Sequence, residues 1–396
     1  MPTLSLRRVL RDAAEDPEDR DASRVSLRLR GLSRLHCRNR NTPTKSLLPR
    51  RAMVMGSLRW RVNHVRNDRE AGPVVLEGRR VKPRGGQDPP KKAAVMKVSV
   101  RTPATTANLG PGFDTLGLAL KLYNTIEMEE IASGLDIQCG GVCSESIPLD
   151  AQNIVYKAAL TVFRQAGWEP CGLKIILHNE IPSARGLGSS AAAVVGGAVA
   201  ANKLCGDRLG EREILQICVG LEGHPDNVVP ALVGGFVITT VTSSGHVEYI
   251  KVHPSPVIRA VAAVPSFELR TSDSRKVLPE SFGFSDVVYN VGHAAFFVGA
   301  FITGNLSSLR FAMEDRLHQP YRESLIPGMR RVFEAAMSSG AQSVSISGSG
   351  PTLIAFVNSE DERVGNAMQS AWAQEGISSD IIHLELDTQG LKAETV

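Results

Sequence analysis

A turn rich in glycine and serine joins a short apolar run to a run of small residues, and few folds accommodate that junction. Leu173-Lys-Ile-Ile-Leu-His178 reads as a strand, and Ala191 to Leu204, almost all small or apolar, reads as a helix. Between them lies Pro182-Ser-Ala-Arg-Gly-Leu-Gly-Ser-Ser190. Gly186, Gly188, Ser189 and Ser190 therefore fall where a loop becomes a helix N-terminus. Leftover backbone N–H groups and the helix dipole favour an anion such as phosphate there. The glycines admit positive φ and close backbone approach, and the serine pair caps the helix or reaches a metal ion. A plain glycine-rich helix start accounts for the same residues. The loop holds no lysine and no Gly-Lys-Ser/Thr follows, which separates it from a Walker A loop.

Charge divides the chain. Residues 1–95 hold 23 Lys+Arg against 10 Asp+Glu, a net of +13, while the 396-residue whole is only +4. That first stretch has Arg clusters, scattered prolines (Pro83, Pro89, Pro90), a single aromatic (Trp60) and no sustained periodicity, so it reads as a disordered leader. Three readings stay open for it. Arg-rich N-termini often target, although the acidic block from Asp12 to Asp21 is unlike a transit peptide. A basic arm for nucleic acid would lack aromatics for stacking. The favoured reading is an extension that plays no part in the fold, with Met96 serving as a start. The remaining residues carry a net of −9. Length suggests two or three domains. The six cysteines, Cys37, Cys139, Cys143, Cys171, Cys205 and Cys218, show no C-x-x-C pair and read as reduced, mostly core thiols in a cytosol-like compartment. A zinc site on Cys139 and Cys143 lacks further ligands nearby. No run approaches the length of a membrane-spanning helix.

From Met96 the pattern alternates. Strands are expected over 97–101, 123–131, 173–178, 235–241, 259–264, 342–346, 352–357 and 381–385. Helices are expected over 153–166, 191–204, 211–221, 285–303, 328–338 and 362–375, the first with Ile154, Ala158, Val162 and Phe163 on one buried face. This is an α+β arrangement of helices against mixed sheets. Asn108 to Gly117 is a turn-rich loop. Glu222-Gly-His-Pro-Asp-Asn-Val-Val-Pro230 reads as a loop in which Asp226 or Asn227 caps the next segment. Ser347, Gly348, Ser349 and Gly350 form a tight turn between two strands, suited to a nucleotide phosphate or to a neighbouring loop.

Four ordered motifs then resemble one family. Pro103-Ala-Thr-Thr-Ala-Asn-Leu-Gly-Pro-Gly-Phe-Asp-Thr-Leu-Gly117, Pro182-x3-Gly-Leu-Gly-Ser-Ser-Ala-Ala192, Gly223-His-Pro-Asp-Asn-Val228 and Ser347-Gly-Ser-Gly-Pro-Thr352 are similar to motifs of the GHMP small-molecule kinases, and within them to the homoserine kinases. Thr271 to Pro279 and Gln319 to Arg322 add to the likeness, which spans about Met96 to Leu386. The resemblance implies a two-domain fold: an N-terminal α/β domain (96–255) with a left-handed-type crossover and a C-terminal ferredoxin-like α/β domain (256–396), after the leader (1–95). It implies ATP-dependent phosphorylation of the side-chain hydroxyl of L-homoserine, a homodimer, and a cytoplasmic setting (plastid if the leader targets). It implies no nucleic-acid or membrane partner.

Chemistry suggests roles beside that carry-over. Pro182, Arg185, Gly186, Leu187, Gly188, Ser189, Ser190, Ala191 and Ala192 would cradle the ATP phosphates. Ser190 and Glu222 would hold Mg²⁺, which prefers oxygen donors. Many homoserine kinases insert residues where only Gly223 separates Glu222 from His224. Asp114 suits an ammonium, and Arg275 and Arg322 suit a carboxylate. Asn108 and Asn227 would orient the hydroxyl with His224 nearby, and Thr271 would sit beside the γ-phosphate. Asp226 is the one candidate base, but the family likeness points to positioning without a base. Alternatives are a mevalonate-type kinase of the same family, a non-catalytic ATP sensor and a nucleic-acid binder. Convergence of Asp114, Arg275 and Arg322 in one pocket would discriminate against the mevalonate type, ATP binding without ADP release would support the sensor, and deletion of residues 1–95 would test nucleic-acid binding.

Overall fold

The computed structural model describes residues 96–253, 258–359 and 362–396. The leader, with its targeting, nucleic-acid and extension readings, lies outside the described residues, as does the expected domain boundary at 255/256.

In chain order the elements begin with β1 (Lys97–Ala107), β2 (Leu116–Glu130), β3 (Gly134–Gly141), α1 (Ile154–Ala166), β4 (Gly172–Asn179) and α2 (Ser189–Leu204). Next come α3 (Glu211–Glu222), α4 (Pro225–Val233), β5 (Phe236–Val241), β6 (Val247–Val252), β7 (Arg259–Pro265), α5 (Thr271–Lys276) and α6 (Phe284–Thr303). Then follow α7 (Leu309–Ala312), α8 (Gln319–Arg322), α9 (Met329–Ser338), β8 (Ser343–Ile346), β9 (Leu353–Val357), α10 (Glu362–Gln374), β10 (Ser379–Glu385) and β11 (Lys392–Thr395).

The first sheet runs β11-β1-β2-β4-β3, with β5 on the far half of β2 and β6 on β5. The parallel β3–β4 pair is joined through α1. β1 alternates buried and part-exposed residues only to Arg101, then is buried throughout from Thr102 to Ala107. Alternation vanishes where both faces are covered, so the strand outruns the 97–101 expected from periodicity. β2 likewise starts seven residues before the expected Tyr123, because Leu116 to Leu120 are buried without alternation. The β1–β2 register shifts between Pro103 and Ala104, where proline supplies no ladder N–H.

The second sheet, β10-β7-β9-β8, is antiparallel at every pairing. Helices between β7 and β8 and between β9 and β10 complete the ferredoxin-like split β-α-β pattern. Alternate residues of β7 serve different cores. Val261 and Ala263 pack with Val332, Met368 and Trp372 under α9 and α10. Ala260 and Ala262 join Leu116, Leu118, Phe297, Phe301 and Phe356 in a core shared with the first sheet. A third core lies between the first sheet and α1–α3.

Several expectations are corrected. β3, β6 and β11 were absent from the sequence reading. β11 pairs with β1, so the chain's last strand returns to the first sheet. Ile154 is half-exposed, and Val155 takes its place on the buried face of α1. The Glu222–Pro230 stretch spans the end of α3, the Gly223-His224 link and the start of α4, which opens with Pro225 behind His224 at the N-cap position, so Asp226 and Asn227 are helical residues and not caps. Of the five described cysteines, all free, only Cys205 and Cys218 are buried. One helix, α6, is long and apolar enough by length and composition to cross a membrane, although no such run was expected. Phe297 and Phe301 fix one side of it into the shared core.

Candidate active site

Two loops and two helix ends meet between the sheets. β1 ends at Ala107, and Asn108 (φ 69) turns the chain into the loop before β2. Its Nδ2 donates to Gly348 O at 2.7 Å, and its Oδ1 accepts from Asp114 N at 2.9 Å. Asn108 thus lines the cavity with one amide N–H engaged by Gly348 and its oxygen bonded to the backbone of Asp114. Asp114 receives both guanidinium arms of Arg275, at 2.9 and 2.7 Å.

The glycine-serine turn delivers an anion site by leaving a helix uncapped. The N-cap of α2 is Gly188 (φ 70), and no side chain caps the helix. The serines sit in the first turn and do not cap it, contrary to one of their two expected uses. First-turn N–H groups therefore have no intrahelical acceptor and no capping side chain, the condition that suits phosphate oxygens. A Cβ at Gly188 would lie 1.8 Å from Thr105 Oγ1, so only glycine lets α2 sit this close to β1. Thr105 Oγ1 donates to Asn227 Oδ1 at 2.7 Å, which leaves the amide N–H groups of Asn227 for a ligand. Gly117 does the same for α4: a Cβ there would lie 1.9 Å from Asp226 O.

Ser190 Oγ donates to Glu222 Oε2 at 2.9 Å, joining the start of α2 to the end of α3. Burial, helped by the Asp226 charge, pushes the Glu222 carboxyl up against the opposing pull of His224 and Ser190. The two oxygen donors lie side by side at the cavity wall, and this donor set fits Mg²⁺. Burial disfavours a charged His224, but its 2.6 Å contact with buried Asp226 prevails and raises it. Asp226, the candidate base, is engaged by that imidazole. Asp114, His224 and Asp226 present ligand atoms within 4.8 Å of one another, an environment that welcomes a cation.

A cavity of about 270 Å³ brings these groups together. Asp114, His224, Asn227, Thr271, Arg275 and Arg322 line it with Pro182, Gly186, Gly188, Ser189, Ser190 and Glu222. Asp114, Arg275 and Arg322 therefore do converge. Arg322 is 1% exposed. Burial, then the nearby Arg275 charge, lowers its pKa to about 10. Its contacts are neutral: Gly348 O at 3.0 Å, His318 Nδ1 at 3.1 Å and Ser274 O at 3.4 Å. Among the described residues no carboxylate lies within ion-pair distance of it. Phe113 presents its ring to both arginines, each Cζ 5.3 Å from the centroid.

Some expected residues act elsewhere. Leu187, Ala191 and Ala192 bury their side chains in the cores and do not line the cavity. Arg185 lines it but reaches Ser266 O at 3.0 Å and Glu268 at 3.4 Å. The 347–350 turn grips neighbouring loops: Ser347 Oγ donates to Gly186 O at 2.7 Å, and Gly348 N donates to Ala107 O at 3.1 Å. Gly348 and Ser349 line the cavity, and Ser349 Oγ lies 3.2 Å from Thr271 Oγ1. Gly350 packs against Ile326 and Ile346.

A second cavity of about 250 Å³ escaped the sequence reading. Ile126, Ile147, Ile154, Val155, Leu177 and Ala193 give it apolar walls, and Ser189 borders both cavities. An apolar residue left half-exposed at the start of α1, Ile154, is its one local signal. Phe113, Arg270 and His318 were also passed over.

Similarity to known proteins gives the family. The family model for the GHMP kinases N terminal domain matches residues 153–235, and that for GHMP kinases C terminal matches 297–374. A homoserine kinase of Carboxydothermus hydrogenoformans is 45% identical over 293 residues, 74% of this chain and 95% of that protein. The chain belongs to the homoserine kinase family. A crystal structure of homoserine kinase from Cytophaga hutchinsonii superposes with a TM-score of 0.69 at 31% identity, covering 75% of this chain and 97% of that one. The structure of L. major mevalonate kinase shares the fold alone, at a TM-score of 0.58 and 14% identity. As a GHMP kinase the chain uses ATP as co-substrate.

Proposed function

We propose that this chain transfers the γ-phosphoryl group of ATP to the side-chain hydroxyl of L-homoserine, giving O-phospho-L-homoserine. The observation that carries the reading is Arg322, a buried cation in the cavity with no anion of its own. A buried charge without a partner is costly, and a substrate carboxylate supplies the missing one. Asp114, beside His224 and Asp226, supplies the complementary charge for an ammonium group. A zwitterionic amino acid satisfies both ends, whereas mevalonate has no ammonium to offer.

The residues then divide the work. N–H groups at Gly188, Ser189 and Ser190 hold phosphate oxygens, and the apolar cavity beyond Ser189 takes the adenine. Asn227, its Oδ1 fixed by Thr105, donates toward the hydroxyl, and Thr271 flanks the phosphate path from the start of α5. Ser190 and Glu222 would hold Mg²⁺, which supplies charge neutralisation on the phosphates. With Asp226 bonded to His224, catalysis rests on alignment and electrostatics without a dedicated base.

A homodimer accompanies this reading, supported by the unburied apolar side of α6, where Phe284 is 84% exposed and Val291 64%. Sedimentation velocity measures it. A cytoplasmic setting also accompanies it, in keeping with the free cysteines.

The test is ADP release by the full chain with ATP, Mg²⁺ and, separately, L-homoserine, L-serine and mevalonate, with the product identified by phosphorus NMR. Selective turnover of homoserine supports the proposal. Turnover of mevalonate alone sinks the Asp114, Arg275 and Arg322 assignment, and ATP binding without turnover of any of them points to a sensor.

A further inference from the structure

His318 is fully buried, and both of its ring nitrogens are paired. Nε2 lies 2.7 Å from Gly110 O, and Nδ1 lies 3.1 Å from Arg322 Nη1. A carbonyl oxygen only accepts and a guanidinium only donates. The ring is therefore the neutral tautomer with its proton on Nε2. A protonated Nδ1 would set N–H against N–H. Burial, with Arg322 adding to it, favours the same neutral form, against Asp315 at 3.6 Å and the more distant Asp114. Asp315 directs its carboxylate to the backbone N–H groups of Leu317, His318 and Gln319, at 3.0, 2.9 and 2.6 Å. The imidazole also packs on Phe113, ring centroids 5.3 Å apart, beneath both arginines.

We propose that His318 is a positioning residue that aims Arg322 at the substrate carboxylate without discharging it. The inference rests on the homoserine reading above. Nη1 of Arg322 is held by His318 and Gly348, and Nε is held by Ser274, while no partner on Nη2 is found among the described residues. That pattern fixes the rotation of the guanidinium and leaves one edge for a carboxylate. An aspartate or glutamate at position 318 would orient the same group but neutralise it. A neutral acceptor that also donates rearward to Gly110 O orients it and keeps the positive charge.

The test separates the two ring nitrogens. His318→Gln retains a donor near Nε2 and removes the acceptor at Nδ1, whereas His318→Asn retains an acceptor near Nδ1 and removes the rear donor. In the full chain, His318→Gln is expected to raise KM for homoserine about 10- to 100-fold, the scale of one charge-assisted hydrogen bond. KM for ATP and kcat should stay within about threefold, and His318→Asn should recover most of the loss. With the carboxamide of L-homoserine, which has no carboxylate, the wild-type and His318→Gln enzymes should give the same KM. An unchanged homoserine KM in folded His318→Gln overturns the inference, as does an equal rise for homoserine, its carboxamide and ATP. Should His318→Gln fail to fold, His318→Asp takes its place: a selective rise in homoserine KM supports the inference, and no rise overturns it. If the wild type turns over no homoserine, the functional proposal has failed. If only the variants disagree, the role of His318 alone has failed.

Discussion

Arg275 grips Asp114 with both guanidinium arms, at 2.7 and 2.9 Å, across the cavity in which the two residues are assigned to opposite ends of one substrate. Burial works against the charged guanidinium, but the Asp114 bond prevails and raises it. On the proposed function, a zwitterion entering this space exchanges one internal ion pair for two external ones. Asp114 has a left-handed backbone (φ 54), with its N–H bonded to Asn108 Oδ1 at 2.9 Å.

Asp114→Asn therefore removes the ammonium partner and frees Arg275 at once. The expected result is a loss of about 10- to 150-fold in kcat/KM for homoserine, the scale of a charged hydrogen bond, with KM for ATP unchanged. A double-mutant cycle with Arg275→Met should show strong non-additivity, since the two residues touch. Steady-state kinetics on the four proteins measures both, and additive losses would falsify the exchange.

Arg322 should trade stability for function. Burial, then the nearby Arg275 charge, lowers its pKa to about 10, so folding works against a guanidinium that stays charged at ordinary pH. The scale is about 3 kcal/mol, partly offset by its hydrogen bonds. Arg322→Met is expected to keep or raise Tm in the ligand-free protein while homoserine binding is lost. Differential scanning calorimetry beside isothermal titration tests both halves, and a Tm lower by more than about 5 °C contradicts the first.

The His224–Asp226 contact gives a signed pH dependence. His224 is raised above 6.5 in the folded state, so its stabilisation is complete below pH 6.5 and fades as pH climbs through the folded value. The Tm gap between wild type and His224→Gln should be widest near about pH 6 and narrow toward about pH 8.5. A gap that widens with pH would mean the imidazole is held neutral.

Gly188→Ala tests the close approach of α2 to β1. The residue needs φ 70, and its Cβ would press on Thr105 Oγ1. Left-handed strain and overpacking together cost about 2–4 kcal/mol. A lower urea midpoint and weaker ATP binding are expected, and an unaltered affinity would show that the helix start tolerates displacement.

Periodicity revealed α1 and α6 because each buries one face and leaves the other partly exposed, whereas β7, buried on both faces, reads as a short apolar run. It lost the second half of β1 and the start of β2, where Thr102 to Ala107 and Leu116 to Leu120 are enclosed on both sides. It lost β11 because four mostly exposed residues gain strand character only from their partner β1. The residues that line the cavity were legible wherever chemistry and spacing coincide, as at Gly188, Ser190, Glu222 and Arg275. His318 was not, although it precedes Arg322 by one helical turn, because its role depends on Gly110, 208 positions away. The bond from the Asn108 amide to Gly348 was not legible either, because only the fold brings the two together.

Leu118 of the first sheet and Ala262 and Phe356 of the second belong to one core. Neither sheet can shed the other without opening that core to water, which weakens both at once. Heating should therefore give one calorimetric transition for the described residues, with ATP or homoserine shifting the whole of it. The two halves of the cavity rest on a common foundation, so loosening either sheet would disturb the walls of the cavity on both sides.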